Sequence, residues 1–360
     1  MWHEGGRYAG LLPAEFPVQP GQAHETFEAK RRLKSLLDVS ALAEHLHAIR
    51  PREATRDELL RAHGPDYLDR LERANGEYAA IVGLDAPMTR GSYDIARLAA
   101  GGCLAAIDAI MSGAVDNAYA LVRPVGHHAE PDTGKGFCLL SNAALAAAHA
   151  LAIHGVERIA MIDIDVHHGN GAQAIFWRDP RVLTISLHQE FYFPPDSGAR
   201  EERGGGEGFG ANLNIPLPAG CGWGAYEAAF ARVVLPALRR FAPELIIVPC
   251  GFDAGAQDPL GRMWLHGEAY RAMTLQLMAA ADESAQGRML LTQEGGYNPW
   301  TVPFMGVAVF EALTGRDSGI VDPMRDIFVN MHGHALLPHQ EAAIDAAAAL
   351  VGDVPAPRQA

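Results

Sequence analysis

Five short apolar runs, most of them rich in β-branched residues, punctuate this chain, and each ends on residues able to do chemistry. The runs are Tyr119–Val122, Ile159–Ile164, Val182–Leu187, Leu245–Pro249 and Met289–Thr292. Short runs without polar alternation suit strands buried on both faces, as in a parallel sheet. Alanine-rich stretches with helical periodicity lie between and around them: Tyr93–Met111, Ala143–Ile153, Ala225–Phe241, Glu268–Ala281 and Pro303–Leu313. Strands alternating with helices predict an α/β fold, with a central, mostly parallel sheet flanked by helices. No repeat and no long linker divides the chain, and Gly204–Gly210 reads as a surface loop. The expectation is a single domain over residues 1–360.

The chemistry sits just past the runs. Tyr119–Val122 leads to Arg123-Pro124-Val125-Gly126-His127-His128, and Ile159–Ile164 to Asp165-Val166-His167-His168-Gly169-Asn170-Gly171. Val182–Leu187 leads to His188, Leu245–Pro249 to Gly251-Phe252-Asp253, and Met289–Thr292 to Glu294-Gly295-Gly296-Tyr297. Ligands of open α/β sheets bind at the carboxyl ends of the strands, so these clusters are expected to converge on one rim.

Composition narrows the function classes. The formal net charge of -14 opposes phosphate backbones, so no nucleic-acid partner is expected. The one dense basic cluster, Lys30-Arg31-Arg32 with Lys34, reads as a solvated helix face. No apolar run reaches the roughly 18–20 residues of a membrane span, and Met1–Gly10 lacks the features of a signal peptide. A cytoplasmic protein with no membrane partner is expected. The four scattered cysteines form no C-x-x-C pair, which argues against a disulfide scaffold and a cysteine zinc site.

Asp165 and His167 stand two apart at a strand end, so both side chains leave the same face. With Asp253 from another strand end they make an O, N, O set of the kind zinc accepts while keeping a position open. Two carboxylates formally cancel the charge of Zn²⁺, so the metal should acidify water less than a three-histidine site would. A nearby base is then needed, and the adjacent His127 and His128 are the candidates.

The strings R-P-V-G-H-H, D-I-D-V-H-H-G-N-G, S-L-H, F-P-P-D-S-G, G-F-D-A and Q-E-G-G-Y, in this order, resemble the arginase/deacetylase superfamily. More narrowly, the chain is similar to bacterial class II histone-deacetylase-like amidohydrolases over roughly residues 1 to 315. The resemblance implies a parallel sheet of about eight strands and zinc on Asp165, His167 and Asp253. It implies proton transfer by the tandem histidines, His128 being the better candidate for general base and then general acid. Asp163 would orient His127, and Asn170 would orient His128, where the class I branch usually has aspartate. A neutral partner stabilises imidazolium less, so His128 should be the less basic for it. Tyr297, after Gly295-Gly296, resembles the phenol that donates to the substrate carbonyl as it becomes an oxyanion. The implied reaction is hydrolysis of an acylated amine such as acetyl-lysine, giving acetate and free amine.

The same resemblance implies two potassium sites. One is at Asp163, Asp165 and His167 with Ser186 and Leu187, and a second is at Phe176, Asp179 and Val182, mostly through backbone carbonyls. Gly136, Phe137 and Phe193 match the walls of a narrow tunnel, Asp85 a rim residue, and Leu260 a position at the tunnel mouth. Polyamine-selective relatives carry glutamate at the place of Leu260. Three other readings stay open: an acetylpolyamine amidohydrolase, a zinc protein that binds acylated partners without turnover, and a binuclear manganese hydrolase of the arginase type. The last would want a carboxylate where this chain has Asn170. The physiological substrate, the acyl length, a homo-oligomeric state and the role of the alanine-rich Glu341–Leu350 are not fixed by the residues.

Overall fold

The computed structural model describes residues 24–357. Its frame is a parallel sheet of six strands: β1 (Asn117–Ala120), β2 (Ile159–Asp163), β3 (Val182–Gln189), β4 (Asn212–Leu217), β5 (Leu245–Cys250) and β6 (Met289–Gln293). They lie in the order β1-β6-β5-β2-β3-β4. Among the described residues, six strands stand where about eight were expected. The remaining pairings among the described residues, Ala80–Ile81 with Pro87–Met88 and Gly83–Leu84 with Gly134–Lys135, are two-residue ladders separate from the sheet.

All five expected strands are present, with ends shifted by two residues or fewer. β4 was not expected. Its Asn-Leu-Asn-Ile-Pro-Leu sequence breaks the apolar run, and its position explains why. It is an edge strand, where Pro216 costs no central ladder bond. Its two asparagines are buried because each finds partners: Asn212 and Asn214 both donate to Gln173 Oε1, at 2.7 and 2.9 Å. A polar residue can sit in a core position when its hydrogen bonds are met.

Burial on both faces is visible in the alternation along the central strands. Leu245 and Ile247 of β5 belong to one apolar layer, Ile246, Val248 and Cys250 to the other. Ile159 and Met161 of β2 split from Ala160 and Ile162 in the same way. The layers are closed by the expected helices, seen at Ser92–Met111, Asn142–Ile153, Gly267–Ser284 and Val302–Thr314. The expected helix at Ala225–Phe241 is continuous but widens into a π turn at Phe230–Val234. Pro236 has no N–H to give Arg232, and a wider turn relieves the ring's clash with that carbonyl. The alanine-rich tail forms helix Pro338–Ala348, packed on β4 and on Trp223–Ala229.

One expectation about the surface fails. Lys30 is buried rather than solvated, because in helix Glu28–Val39 it falls beside the core-facing Leu33 and Leu37, while Arg31 and Lys34 stay outside. No helix among the described residues is long and apolar enough to cross a membrane.

The parallel register brings the strand ends level: Asp163 pairs with Ser186, and Cys250 with Gln293. Everything that follows sits on that edge.

Candidate active site

Asp165, His167 and Asp253 meet in a buried cluster whose ligating atoms lie within 4.8 Å of one another. His167 Nδ1 is 3.0 Å from Asp165 Oδ1 and 3.2 Å from Asp253 Oδ2. Backbone groups hold both carboxylates in place. Gly295 N–H donates to Asp165 Oδ2 at 2.8 Å, and Val166 N–H donates to Asp253 Oδ1 at 2.9 Å. Asp253 Oδ2 is fully buried and, although His167 Nδ1 stands 3.2 Å away, no well-aligned hydrogen bond reaches it. Burial and the neighbouring Asp165 push the Asp253 carboxyl up to about 6 when only protein groups act on it. A buried carboxylate oxygen without a donor is costly, and a cation satisfies it.

Glycines make the space. A methyl on Gly295 would sit 1.9 Å from Asp253 Oδ2, and one on Gly251 2.0 Å from Asp165 Oδ2. The donor set, the orphaned oxygen and the backbone cradle all fit a divalent ion of zinc's kind.

The tandem histidines stand above the cluster with ring centroids 3.9 Å apart. His127 Nδ1 lies 3.0 Å from Asp163 Oδ2, and His128 Nδ1 lies 2.7 Å from Asn170 Oδ1. Their surroundings drive them in opposite directions. Burial opposes charge on His127, but Asp165 and Asp163 overcome it and lift the imidazolium to about 10. Burial, then His127 and His167, hold His128 well below the ordinary histidine value. The surrounding protein thus favours imidazolium at His127 and the neutral ring at His128.

A cavity of about 290 Å³ opens from this floor to solvent. Phe137 and Phe193 line it, with Gly136 between them, and Tyr297, Leu260 and Asp85 complete the wall and mouth. Gly136 has φ +48°, and a methyl there would strike His128 Cδ2 at 2.4 Å and Phe193 Cε1 at 2.8 Å. Only glycine lets the wall pass this close to the base candidate. Backbone bonds from Gly136 N–H to Leu84 O and from Phe137 N–H to Asp85 O tie the wall to the mouth. Tyr297 faces Phe137 edge-on at 6.0 Å. Burial, then Asp253 and Asp165, keep its phenol well above the ordinary value, so it remains a donor.

Three residues escaped the sequence reading. Glu294 lies within the quoted Q-E-G-G-Y string, yet it works as a scaffold: its Oε2 accepts Gly126 N–H at 2.7 Å and His127 N–H at 3.1 Å. Burial pushes its carboxyl up to about 7. Asp258 accepts Tyr297 N–H and Leu260 N–H, each at 2.8 Å, so one carboxylate fixes both the phenol-bearing turn and the mouth. Tyr192 stacks on His167, centroids 5.5 Å apart and planes 12° from parallel. The signal for Tyr192 was its place in the Phe191-Tyr192-Phe193 run. For Asp258 no local pattern pointed to a role.

The residues expected to hold potassium fall in two places: Asp163, Asp165, His167, Ser186 and Leu187 stand at this carboxyl edge of the sheet, whereas Phe176, Asp179 and Val182 lie at the opposite, amino-terminal start of β3. Asp163 Oδ1 accepts Asp165 N–H, and Ser186 Oγ accepts Gly169 N–H. Phe176, Asp179 and Val182 follow one turn, in which Asp179 N–H donates to Phe176 O and Val182 N–H to Asp179 O.

Size alone would have misled. A larger cavity of about 1220 Å³ lies at the opposite, amino-terminal edge of the sheet, between Arg158, Arg181 and Pro355, away from the metal-ligating cluster. A second group of potential ligands, Asp108, His149 and His154, is satisfied by hydrogen bonds. Each imidazole Nε2 is 2.8 Å from Asp108 Oδ1. Arg61 donates to His149 Nδ1 at 2.9 Å, so the His149 proton is on the nitrogen facing Asp108.

Known proteins share this arrangement of chain. Residues 24–313 match the histone deacetylase domain family. The histone deacetylase-like amidohydrolase of Pseudomonas aeruginosa is 48% identical over 360 residues, covering 99% of this chain and 95% of that one. A probable deacetylase of Archaeoglobus fulgidus is 36% identical over 283 residues, 78% of each chain. Among solved structures, the crystal structure of the HDA15 HD domain superposes with a TM-score of 0.81 at 34% identity, covering 94% of this chain and 90% of that one.

Proposed function

This chain belongs to the histone deacetylase family, and on that footing we propose that it hydrolyses the side-chain amide of acetyl-lysine-type substrates within one catalytic domain. Amide hydrolysis by a zinc-dependent deacetylase is the family's activity. The substrate and the part played by each residue are our reading. The observation that carries it is the convergence of three parts on one cavity: an O, N, O cluster, the tandem histidines beside it, and an aromatic tunnel leading out.

Asp165, His167 and Asp253 would hold the zinc, which supplies Lewis acidity towards the amide carbonyl and the attacking water. His128, neutral and with Nδ1 committed to Asn170, takes the proton of the water as it attacks, then returns it to the leaving amine. His127, paired with Asp163, keeps a positive charge next to the developing negative one. The Tyr297 phenol donates to the carbonyl oxygen as it becomes an oxyanion. Phe137 and Phe193 cover the lysine methylenes, worth about 0.8 kcal/mol each on burial. Gly136 keeps that wall within reach of His128, and Asp85 meets the substrate backbone at the mouth.

The reading extends to potassium beside Asp163, Ser186 and Leu187, and at the turn formed by Phe176, Asp179 and Val182. Burial pushes the Asp163 carboxyl up, and a cation alongside would stabilise its charged form. A cytoplasmic setting also stays part of the proposal, in keeping with four cysteines that are all free and buried.

Asn170 bonds to His128 and stands outside the metal-ligating trio, which removes the carboxylate an arginase-type second metal would want. A polyamine substrate is the nearer competitor, and Leu260 decides between them. It lines the cavity mouth half-buried, held there through Asp258. A leucine offers no charge to a second ammonium, whereas a carboxylate at a partly desolvated mouth contributes roughly 1–4 kcal/mol. The test is kcat/KM for an acetyl-lysine peptide, acetylspermidine and small acyl amides with the zinc-loaded protein. Acetyl-lysine should lead, and Leu260→Glu should move the ratio towards acetylspermidine by about tenfold or more. A wild type that already prefers acetylspermidine would make this a polyamine deacetylase. A ratio unmoved by the substitution would remove Leu260 from the specificity argument.

A further inference from the structure

The amide of Asn170 has neighbours that decide which of its ends faces His128. Its Nδ2 lies 2.7 Å from Glu130 Oε1 and 3.0 Å from the His128 carbonyl oxygen. Both of these only accept, so the amide nitrogen must face them and the amide oxygen must face the ring. Oδ1 is 2.7 Å from His128 Nδ1. An amide oxygen cannot donate, so the His128 proton is on Nδ1, and in the neutral ring Nε2 keeps its lone pair. That is the tautomer a base in the tunnel needs. Left to itself, an asparagine amide reads nearly the same either way round. The choice falls to Glu130 and the backbone carbonyl beside it.

Glu130 is itself firmly held. Lys135 Nζ donates to the same Oε1 at 2.8 Å and reaches Asp196 Oδ2 at 3.2 Å. The Glu130 N–H donates to Thr133 O at 2.9 Å, and its carbonyl accepts from His63 Nδ1 at 3.0 Å. A residue whose main chain is tied on both sides and whose carboxylate is held by an ammonium is well suited to orient something else.

We propose that Glu130 is a positioning residue for the hydrolysis: through Asn170 it sets the tautomer of His128 and places a negative charge one amide behind the base. The ring meets a neutral amide first and the carboxylate second. This inference rests on the reading of His128 as the base, while the tautomer itself is independent of turnover.

A double-mutant cycle on the zinc-loaded protein tests it. Glu130→Ala should lower kcat about ten- to hundredfold, with KM changed by less than about threefold and zinc content unchanged. Asn170→Ala should cost at least as much. Adding Glu130→Ala to Asn170→Ala should then cost less than about twofold more, because Glu130 has nothing left to position. Glu130→Gln, whose Oε1 can accept the same N–H but carries no charge, should restore the Nδ1 tautomer and recover part of the loss, the remainder being the share of the charge. Losses that multiply in the double variant, a Glu130→Ala protein with full kcat, or one that loses zinc would each overturn the proposal. The ring can also be read directly: ¹⁵N spectra of histidine-labelled holoprotein should show His128 protonated on Nδ1, and a mixture of tautomers in Glu130→Ala. Unchanged spectra would sink the inference while leaving the deacetylase reading intact. A zinc-loaded wild type without turnover of any acetylated amine would do the reverse.

Discussion

Replacing Asp253 or His167 by alanine should strip the stoichiometric zinc and lower turnover by roughly 10³-fold or more, since such a metal is worth several kcal/mol to the transition state. The two substitutions act on different atoms of one cluster, so their agreement would identify the cluster rather than a single side chain. Asp253→Asn separates metal loss from damage to the fold. Its Oδ1 can still accept Val166 N–H, while the amide replaces the oxygen that no well-aligned donor reaches. The metal-free Asn variant should melt close to metal-free wild type, because the amide keeps the Val166 bond and gives up only the poorly aligned 3.2 Å approach to His167 Nδ1. Zinc by elemental analysis, turnover of an acetyl-lysine peptide and the two melting temperatures make the measurement. Full activity in a variant shown to lack zinc would refute the ligand assignment. A metal-free Asn variant much less stable than metal-free wild type would mean that Asp253 and His167 form a structural ion pair when no metal is bound.

Much of this site could be read in advance because its residues are anchored to strands, and strands announce themselves locally. Asp165, His167, Asp253 and Tyr297 each come shortly after an apolar run buried on both faces, where an unpartnered polar residue is costly. Polar residues gathered just past such a run therefore mark the sheet's edge. β4 was hidden for the opposite reason: its asparagines satisfy one another's neighbours across a fold that the sequence does not display. The same applies to Asp258 and Glu130. Their work is to accept N–H groups from segments far along the chain or across a turn, and no spacing rule encodes a partner chosen by tertiary packing. Lys30 shows the converse error, a charge read as surface because of its type although its helical position is a core one.

Tyr297→Phe should lower kcat by about 10²–10³-fold while leaving KM within a fewfold, the signature of a donor that works mainly in the transition state. The substitution deletes one oxygen and keeps the ring, so the edge-on contact with Phe137 and the tunnel's width survive. The turn carrying the ring should survive as well, because it is fixed by backbone: Tyr297 N–H is bound to Asp258, and Gly295 N–H to Asp165. Nothing in the ground state then depends on the lost hydroxyl except a bond to a neutral carbonyl, which is weak. The same bond to an oxyanion, in a site closed to water, is charge-assisted and worth several times more. This difference is what kcat reports. Because the phenol stays protonated far above neutral pH, the loss should be nearly constant from pH 6 to 9 in wild-type-to-variant ratios. Steady-state kinetics across that range, with zinc content checked in both proteins, supply the answer. If KM rises tenfold or more and kcat holds, Tyr297 binds the substrate but does not stabilise its transition state, and another donor must be sought on the tunnel wall.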